Sequence, residues 1–469
     1  MVMPVPPRPL LLDETLRTVA RRYRLPPMTG ADRQVQDASA ATSLVMVVEQ
    51  ARLAVARGDT PGEALKRDFI KALARMIHDA MKAGSGDPAF QAMVLRHRAG
   101  RVREYASLSA HANQDRRAVI AAVNTMAHPA KQQRAHAGAQ REALAQLHAS
   151  ASDVSASWAA LFETAQRLLA VPETANHPTF QRDVTQLLGS PALARLRRLD
   201  ALASDAAVRQ YQALWDQHGP RSGSAGAAAQ GSASRQRGAA VEALATQALQ
   251  ALAQRLNHAD ASASYRVVTS MRVPASIPAS PDRAKSEWDA VLLRQAQMAD
   301  AQAVWDVCLL VEAKASVDAA TTDLPRLLRG MRLLAHAEEN KVYPFETQQG
   351  VVHLRGESLS ALPTGELGLK SVVLYCCNAP ADAAPRLLGA ASRMQLLSAS
   401  ASLEFASYLA QGQKADPQDL EPVWDQMLAS PGWGAVLHQY PMLWQVRELM
   451  VHTEDLLVAI NGAMPAGAA

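Results

Sequence analysis

Residues 305–314, WDVCLLVEAK, read as a strand that is apolar on both faces from Val307 to Val311. A strand of that kind is stable only inside a sheet covered by other structure on two sides. Two further runs precede it, SYRVVTSMRVP (264–274) and EWDAVLLR (287–294), with turn-like residues between them. A fourth, KSVVLYCCN, follows at 370–378. The flanking segments GAAVEALATQALQALAQRL (238–256) and LPRLLRGMRLLAHAEE (324–339) instead space their apolar residues as amphipathic helices do. The order helix, three strands, helix, strand predicts an α/β fold, a sheet covered by helices on both faces.

Residues before this region follow helical periodicity. In PGEALKRDFIKALARMIHDAMKAG, Leu65, Phe69, Leu73, Met76 and Ala80 recur every three or four positions and Gly84 ends the pattern. Aromatic residues are only 4% of the chain, and Ala and Leu dominate its apolar share, which favours helix. Between the two regions lies HGPRSGSAGAAAQGSASRQRG, whose Gly, Ser and Arg content reads as a linker. The expected division is therefore a helical domain at 1–217, a linker at 218–237, an α/β domain at 238–395 and a C-terminal helical extension at 396–469.

Charge is unevenly placed along the chain. Residues 1–235 hold 30 Lys and Arg against 20 Asp and Glu, while residues 236–469 hold 18 against 24. A basic half that grips a polyanion and an acidic half that holds a cation would produce such a split. The densest basic stretch, 96–141, has nine Lys and Arg, including Arg98, Arg101 and Arg134, against Glu104 and Asp115 alone. It is the natural candidate for phosphate contact. Its one aromatic residue, Tyr105, gives little basis for stacking on bases. No apolar run is long enough to span a membrane, so a membrane partner is not expected. Cys308, Cys376 and Cys377 lack metal-ligand spacing and read as buried thiols of a reducing, cytoplasmic protein, with delivery as an effector or toxin left open.

The chemistry is carried by the charges set into the apolar runs. Alternate residues of a strand share a face, so Glu312 and Lys314 converge while Val311 and Ala313 point the other way. Asp289 reaches the same place if the two runs pair as neighbours. One explanation is a buried salt bridge stitching two strands together. The other is a site, because two facing carboxylates repel unless a hard divalent cation joins them. Such a cation activates water and neutralises phosphate charge, and an ammonium beside it positions the water or stabilises developing negative charge. Glu-x-Lys alone is common; Glu339-Asn340-Lys341 is a second instance, in the polar tail of a helix, and reads as solvated surface. Asp306 and Glu287, which begin their strands, read as solvated too. No GxGxxG, GxxxxGK[ST] or GxSxG segment is present, which removes the usual nucleotide-binding and hydrolase signatures.

The set Asp289, Glu312 and Lys314 resembles the motif of the PD-(D/E)XK nuclease superfamily, over about residues 236–395. The resemblance implies a restriction-endonuclease-like core in the order α-β-β-β-α-β. It implies that Asp289, Glu312 and Glu242 of the first core helix bind Mg²⁺ or Mn²⁺, and that Lys314 assists an attacking water. It also implies that Arg326, Arg329 and Arg332 on the following helix face nucleic acid. The family's proline is absent, since Trp288 precedes Asp289. The expected activity is metal-dependent phosphodiester hydrolysis, on DNA rather than RNA, with the helical domain holding substrate or a protein partner. A homodimer would supply the two sites that cutting both strands requires. The alternative is a nuclease-like module without turnover that binds nucleic acid or serves as a scaffold.

Overall fold

The computed structural model describes residues 7–25, 39–133, 138–153, 157–170, 178–220, 223–296, 303–365, 368–382 and 385–463. Arg134, Arg221 and residues 297–302 lie outside the described residues. The chain forms two compact units. One joins Met1–Leu73, Ser222–Leu396 and Trp424–Ala469, and the other joins Ala74–Arg221 and Leu397–Val423. The first 73 residues thus belong with the sheet, not with the helical domain that the sequence places at 1–217.

The second unit is helical, as its periodicity predicts. Its longest helix, Gly100–Ala127, turns Val119, Val123 and Met126 onto Leu147, Trp158 and Leu161. The acidic residues of the basic stretch are taken up inside this unit. Asp115 accepts both arms of the Arg195 guanidinium, and Glu104 accepts both arms of Arg198 at 2.7 and 2.8 Å.

The sheet unit is mixed α/β. Strand β1 (Tyr265–Arg272) pairs antiparallel with β2 (Glu287–Gln295), and β2 pairs antiparallel with β3 (Val304–Ala313). The chain then crosses through a helix and returns as β6 (Val373–Cys377), parallel to β3 with Leu310 opposite Val373 and Ala313 opposite Cys376. The expected four strands are corrected to seven among the described residues. A hairpin of β4 (Val342–Thr347) and β5 (Gly350–Arg355) precedes β6, and a short β7 (Met450–His452) follows it. The hairpin alters the topology, because β4 touches β1 at Arg272↔Glu346 and β5 touches the start of β3 at Val304↔His353 and Trp305↔Leu354. Strands β2, β1, β4, β5 and β3 therefore close into a five-stranded barrel from which β6 and β7 extend, so the expected restriction-endonuclease-like core is corrected: the β4–β5 hairpin joins β1 to β3 and shuts the sheet. The sequence of the hairpin does alternate, burying Tyr343, Phe345, Val352 and Leu354. Pro344 and the polar turn Gln348-Gln349 interrupt the β-branched run that would advertise it.

Helices cover both faces. We label as α1 Leu10–Thr18, as α2 Ala225–Ala259, as α3 Val317–Ala335 and as α4 Thr453–Gly462. One face packs Val291, Leu310 and Tyr375 against Leu324, Leu327 and Met331 of α3. The other packs Leu292, Leu309 and Leu374 against Leu249 and Leu252 of α2, Leu12 of α1 and Leu456 of α4. Each such leucine contributes roughly 1.5–3 kcal/mol by leaving water, so the two apolar layers fix which face each strand residue serves. The predicted linker is corrected from Ala225 onward, where the chain is already helical and Ser224 caps the helix by accepting from Ala227 N at 3.1 Å. The alanines of AGAAAQGSAS explain this, since Ala has the highest helix propensity and outweighs the cost of about 1 kcal/mol at each of Gly226, Gly231 and Gly238. Glu242 consequently lies well inside a helix rather than near its start.

Candidate active site

The β2–β3 register sets Ala290 opposite Val311, which brings Asp289 alongside Glu312. Asp289 Oδ2 accepts the backbone N–H of Ala313 at 2.8 Å, so the carboxylate is fastened to the neighbouring strand. Lys314 follows the end of β3, and its own N–H donates to Cys376 O at 2.9 Å, which holds the strand end against β6. From there its ammonium reaches Glu312 Oε2 at 3.0 Å, Asp323 Oδ2 at 3.5 Å and Asp289 Oδ2 at 3.8 Å. Asp289, more than twenty positions before Glu312 and Lys314 along the chain, is brought together with them.

Three members of this cluster escape sequence reasoning. Lys285, in the β1–β2 connection, is buried and places Nζ 2.5 Å from Glu312 Oε2. Its backbone N–H donates to Arg326 O of α3 at 3.1 Å, and Gly330 of α3 leaves it room. A Cβ on Gly330 would come within 2.8 Å of Lys285 Cβ. Nothing in PDRAKSEWD distinguishes this lysine from a solvated turn residue. Asp323 projects from α3 toward Lys314, and Tyr375 on β6 donates its hydroxyl to Asp323 Oδ2 at 3.2 Å. Asp323 did leave a signal, because it lies on the helix stripe set by Ala320, Leu324 and Leu327, where an apolar residue is expected.

Electrostatics follow from burial. Glu312 is fully buried, and desolvation, followed by the charge of Asp289, pushes its carboxyl up to about 7 against the pull of Lys285 and Lys314. Burial acts to lower Lys314, but the carboxylates of Glu312, Asp289 and Asp323 outweigh it and raise its pKa. The Tyr375 hydroxyl is raised as well, by burial and then by Asp323 and Glu312, so it remains a donor. Glu312 Oε2 takes both ammonium groups, while Oε1, equally buried, has no hydrogen-bond partner. Buried carboxylate oxygens are rarely left so.

The remaining expected residues are distributed otherwise. Glu242 of α2 is solvent-exposed as a residue; its carboxyl is raised by partial burial and then by the charge of Asp289. Among the described residues, no three His, Cys, Asp or Glu side chains are arranged to hold a metal ion, so Glu242, Asp289 and Glu312 do not form the expected three-acid set. Arg326, Arg329 and Arg332 are exposed along α3, with Arg329 Nε donating to Arg283 O at 2.9 Å. Arg98 and Arg101 are exposed in the helical unit, and Arg101 is held by Asp205 at 2.9 Å. Asp306 is corrected from solvated to buried, because β5 brings Arg355 alongside to donate to both carboxylate oxygens at 2.7 and 2.6 Å. Glu287 is partly exposed and pairs with Arg272 at 3.3 Å. Glu339 and Lys341 lie on the surface, as expected.

No protein-family model, no curated protein and no solved structure matches the chain.

Proposed function

We propose that the sheet unit is a metal-dependent phosphodiesterase of the PD-(D/E)XK kind, an endonuclease acting on DNA in preference to RNA. The observation that supports it is the meeting of Asp289, Glu312 and Lys314 at one strand end, with Glu312 Oε1 buried and unpartnered. Two adjacent hard oxygen donors suit Mg²⁺ or Mn²⁺, which bind through one or two carboxylates and keep waters. Asp289 and Glu312 would hold the ion, Glu242 standing at the margin of the set. When bound, the ion supplies a polarised water and offsets phosphate charge. Lys314, charged and fastened among three carboxylates, orients that water or stabilises the oxyanion. Ala313 N–H keeps Asp289 from rotating away, and the Tyr375 hydroxyl keeps Asp323 turned toward the lysine. Arg326, Arg329 and Arg332 offer an exposed cationic stripe for backbone phosphate, and such contacts orient a strand without reading its sequence.

A second reading is a nuclease-like module that binds nucleic acid or serves as a scaffold without cutting it. The contact that favours it is Lys285 to Glu312 at 2.5 Å, which gives the glutamate a second ammonium where a cation would compete. Incubation of plasmid and single-stranded DNA with Mg²⁺ or Mn²⁺, beside Lys314→Ala and Asp289→Ala, separates the two. Cleavage that drops by about 100-fold or more in both variants is expected for a lost acid–base or electrostatic group. Undiminished cutting in both excludes this site, and no cutting by the native chain favours the second reading.

A further inference from the structure

A cleft of about 520 Å³ in the sheet unit is lined by Arg8, Arg17, Arg21, Arg24 and Lys370, with Asp13 as its lining acid. Lys370 shortly precedes β6, and Arg8 also lines a smaller cavity beside Asp306 at the start of β3. Lys314 follows the end of β3, and β3 and β6 run parallel. Leu16 and Val19, which also line the cleft, belong to the apolar layer shared with α2, whereas Tyr375 and the α3 residues around the carboxylate cluster belong to the other layer, so the two places lie on opposite faces of the sheet and a group held in one is not the group acted on in the other.

Two features mark the cleft as built for an anion. Glu448, itself buried, accepts Arg24 at 3.0 Å and Lys370 at 2.7 Å, which fixes two cations in place and neutralises only part of the lining charge. Arg8 Nε and Nη2 and Arg21 Nη1 are buried with no hydrogen-bond partner, although Arg8 pairs with Asp13 at 3.4 Å and Arg21 Nη2 donates to Leu16 O at 3.1 Å. Guanidinium donors withdrawn from water normally have acceptors. Burial and then the neighbouring Arg24 lower the Arg21 pKa, with Glu448 pulling the other way. Like charges this close are relieved by a ligand that bears several negative oxygens, and guanidinium forks match phosphoryl oxygens two at a time. Among the described residues the cleft lining is cationic and carries no aromatic side chain, a lining that suits phosphates rather than a base.

We propose that this cleft is a binding site for adjacent phosphoryl groups, such as those of a nucleoside diphosphate or triphosphate or of consecutive nucleotides in a strand. The size is that of a small-ligand site. Occupancy does not depend on whether the carboxylate cluster cuts nucleic acid.

Calorimetric titration of the full chain with pyrophosphate, in buffer free of divalent cations, tests it. Binding is expected to fall about tenfold or more in Arg17→Gln and in Arg21→Gln, a loss of roughly 1.4 kcal/mol or greater, and to be unchanged in Arg57→Gln, an exposed residue paired with Asp59 outside the cleft. Arg17 is exposed, so its variant keeps the test open should the Arg21 variant not fold. Competition by ATP alone assigns a free nucleotide, and competition by a DNA oligonucleotide as well assigns a backbone-phosphate site. Absence of binding at roughly millimolar pyrophosphate, equal affinity in both variants, or displacement by neither competitor overturns the proposal.

Discussion

Strand β3 carries a buried acid near each end, and the two are treated differently. At the start, Asp306 meets Arg355 in a two-armed contact that uses both carboxylate oxygens, and Glu357 meets the same guanidinium at 3.3 Å. At the end, Glu312 crowds two ammonium groups onto one oxygen, leaves the other unpartnered and has Asp289 beside it. The first arrangement is complete and asks for nothing more. The second has an unmet acceptor and like charges in proximity, which is the condition a cation or a reacting group relieves. Burial alone does not separate a structural ion pair from a site; satisfaction does.

The comparison breaks most sharply on activity. Glu312→Gln keeps the shape of the side chain, and its cleavage rate in a plasmid assay with Mg²⁺ is expected to fall by about 100-fold or more, whereas Asp306→Asn leaves the rate per folded molecule near that of the native chain. Equal losses would mean that both pairs are structural. On stability the order reverses. Asp306→Ala removes the two-armed partner of the Arg355 guanidinium and leaves it to Glu357, and a loss of up to about 3–5 kcal/mol is expected by urea denaturation, as for a buried pair with one partner removed. A smaller change sharpens the picture of the Glu312 end. Gly330→Ala pushes against Lys285 and should cost roughly 1–3 kcal/mol from overpacking, while loosening the second ammonium from Glu312. Mn²⁺ affinity that rises in this variant would show that Lys285 competes with the ion.

The gentlest test is pH. Because the Glu312 carboxyl is raised to about 7 in the folded chain, it holds its proton there more tightly than in the unfolded chain. Its contribution to stability is therefore greatest in acid and is lost as pH rises from the ordinary carboxylate range to about 7. Cation binding runs the other way, since the proton must leave first. Mn²⁺ affinity should climb up to about tenfold per pH unit below that point and level off above it, and an affinity flat from pH 5 to 8 would remove Glu312 from the ligand set.

Much of the site was legible in the sequence because its two strands are adjacent and antiparallel. Charges inside apolar runs are rare enough to notice, and a strand period of two fixes which of them share a face. Helices over both faces of the sheet followed from the unbroken apolar runs in the same way. What local pattern could not reveal came from distant chain. Lys285 is recruited from a turn by the shape of α3 at Gly330, and Asp306 is buried only because β5 delivers Arg355. The alanine-rich segment before Gly238 looks like a linker because its Gly and Ser stand out, yet propensity summed along the segment is set by its many alanines and favours helix.

Closure of five strands into a ring also governs how this protein can self-associate. With β2 bonded to β3 along most of its length, and β1 meeting β4 only at Arg272↔Glu346, the strand array ends among the described residues in the three-residue β7, all of it buried. So short and sheltered a margin is a poor template for a strand from a second copy.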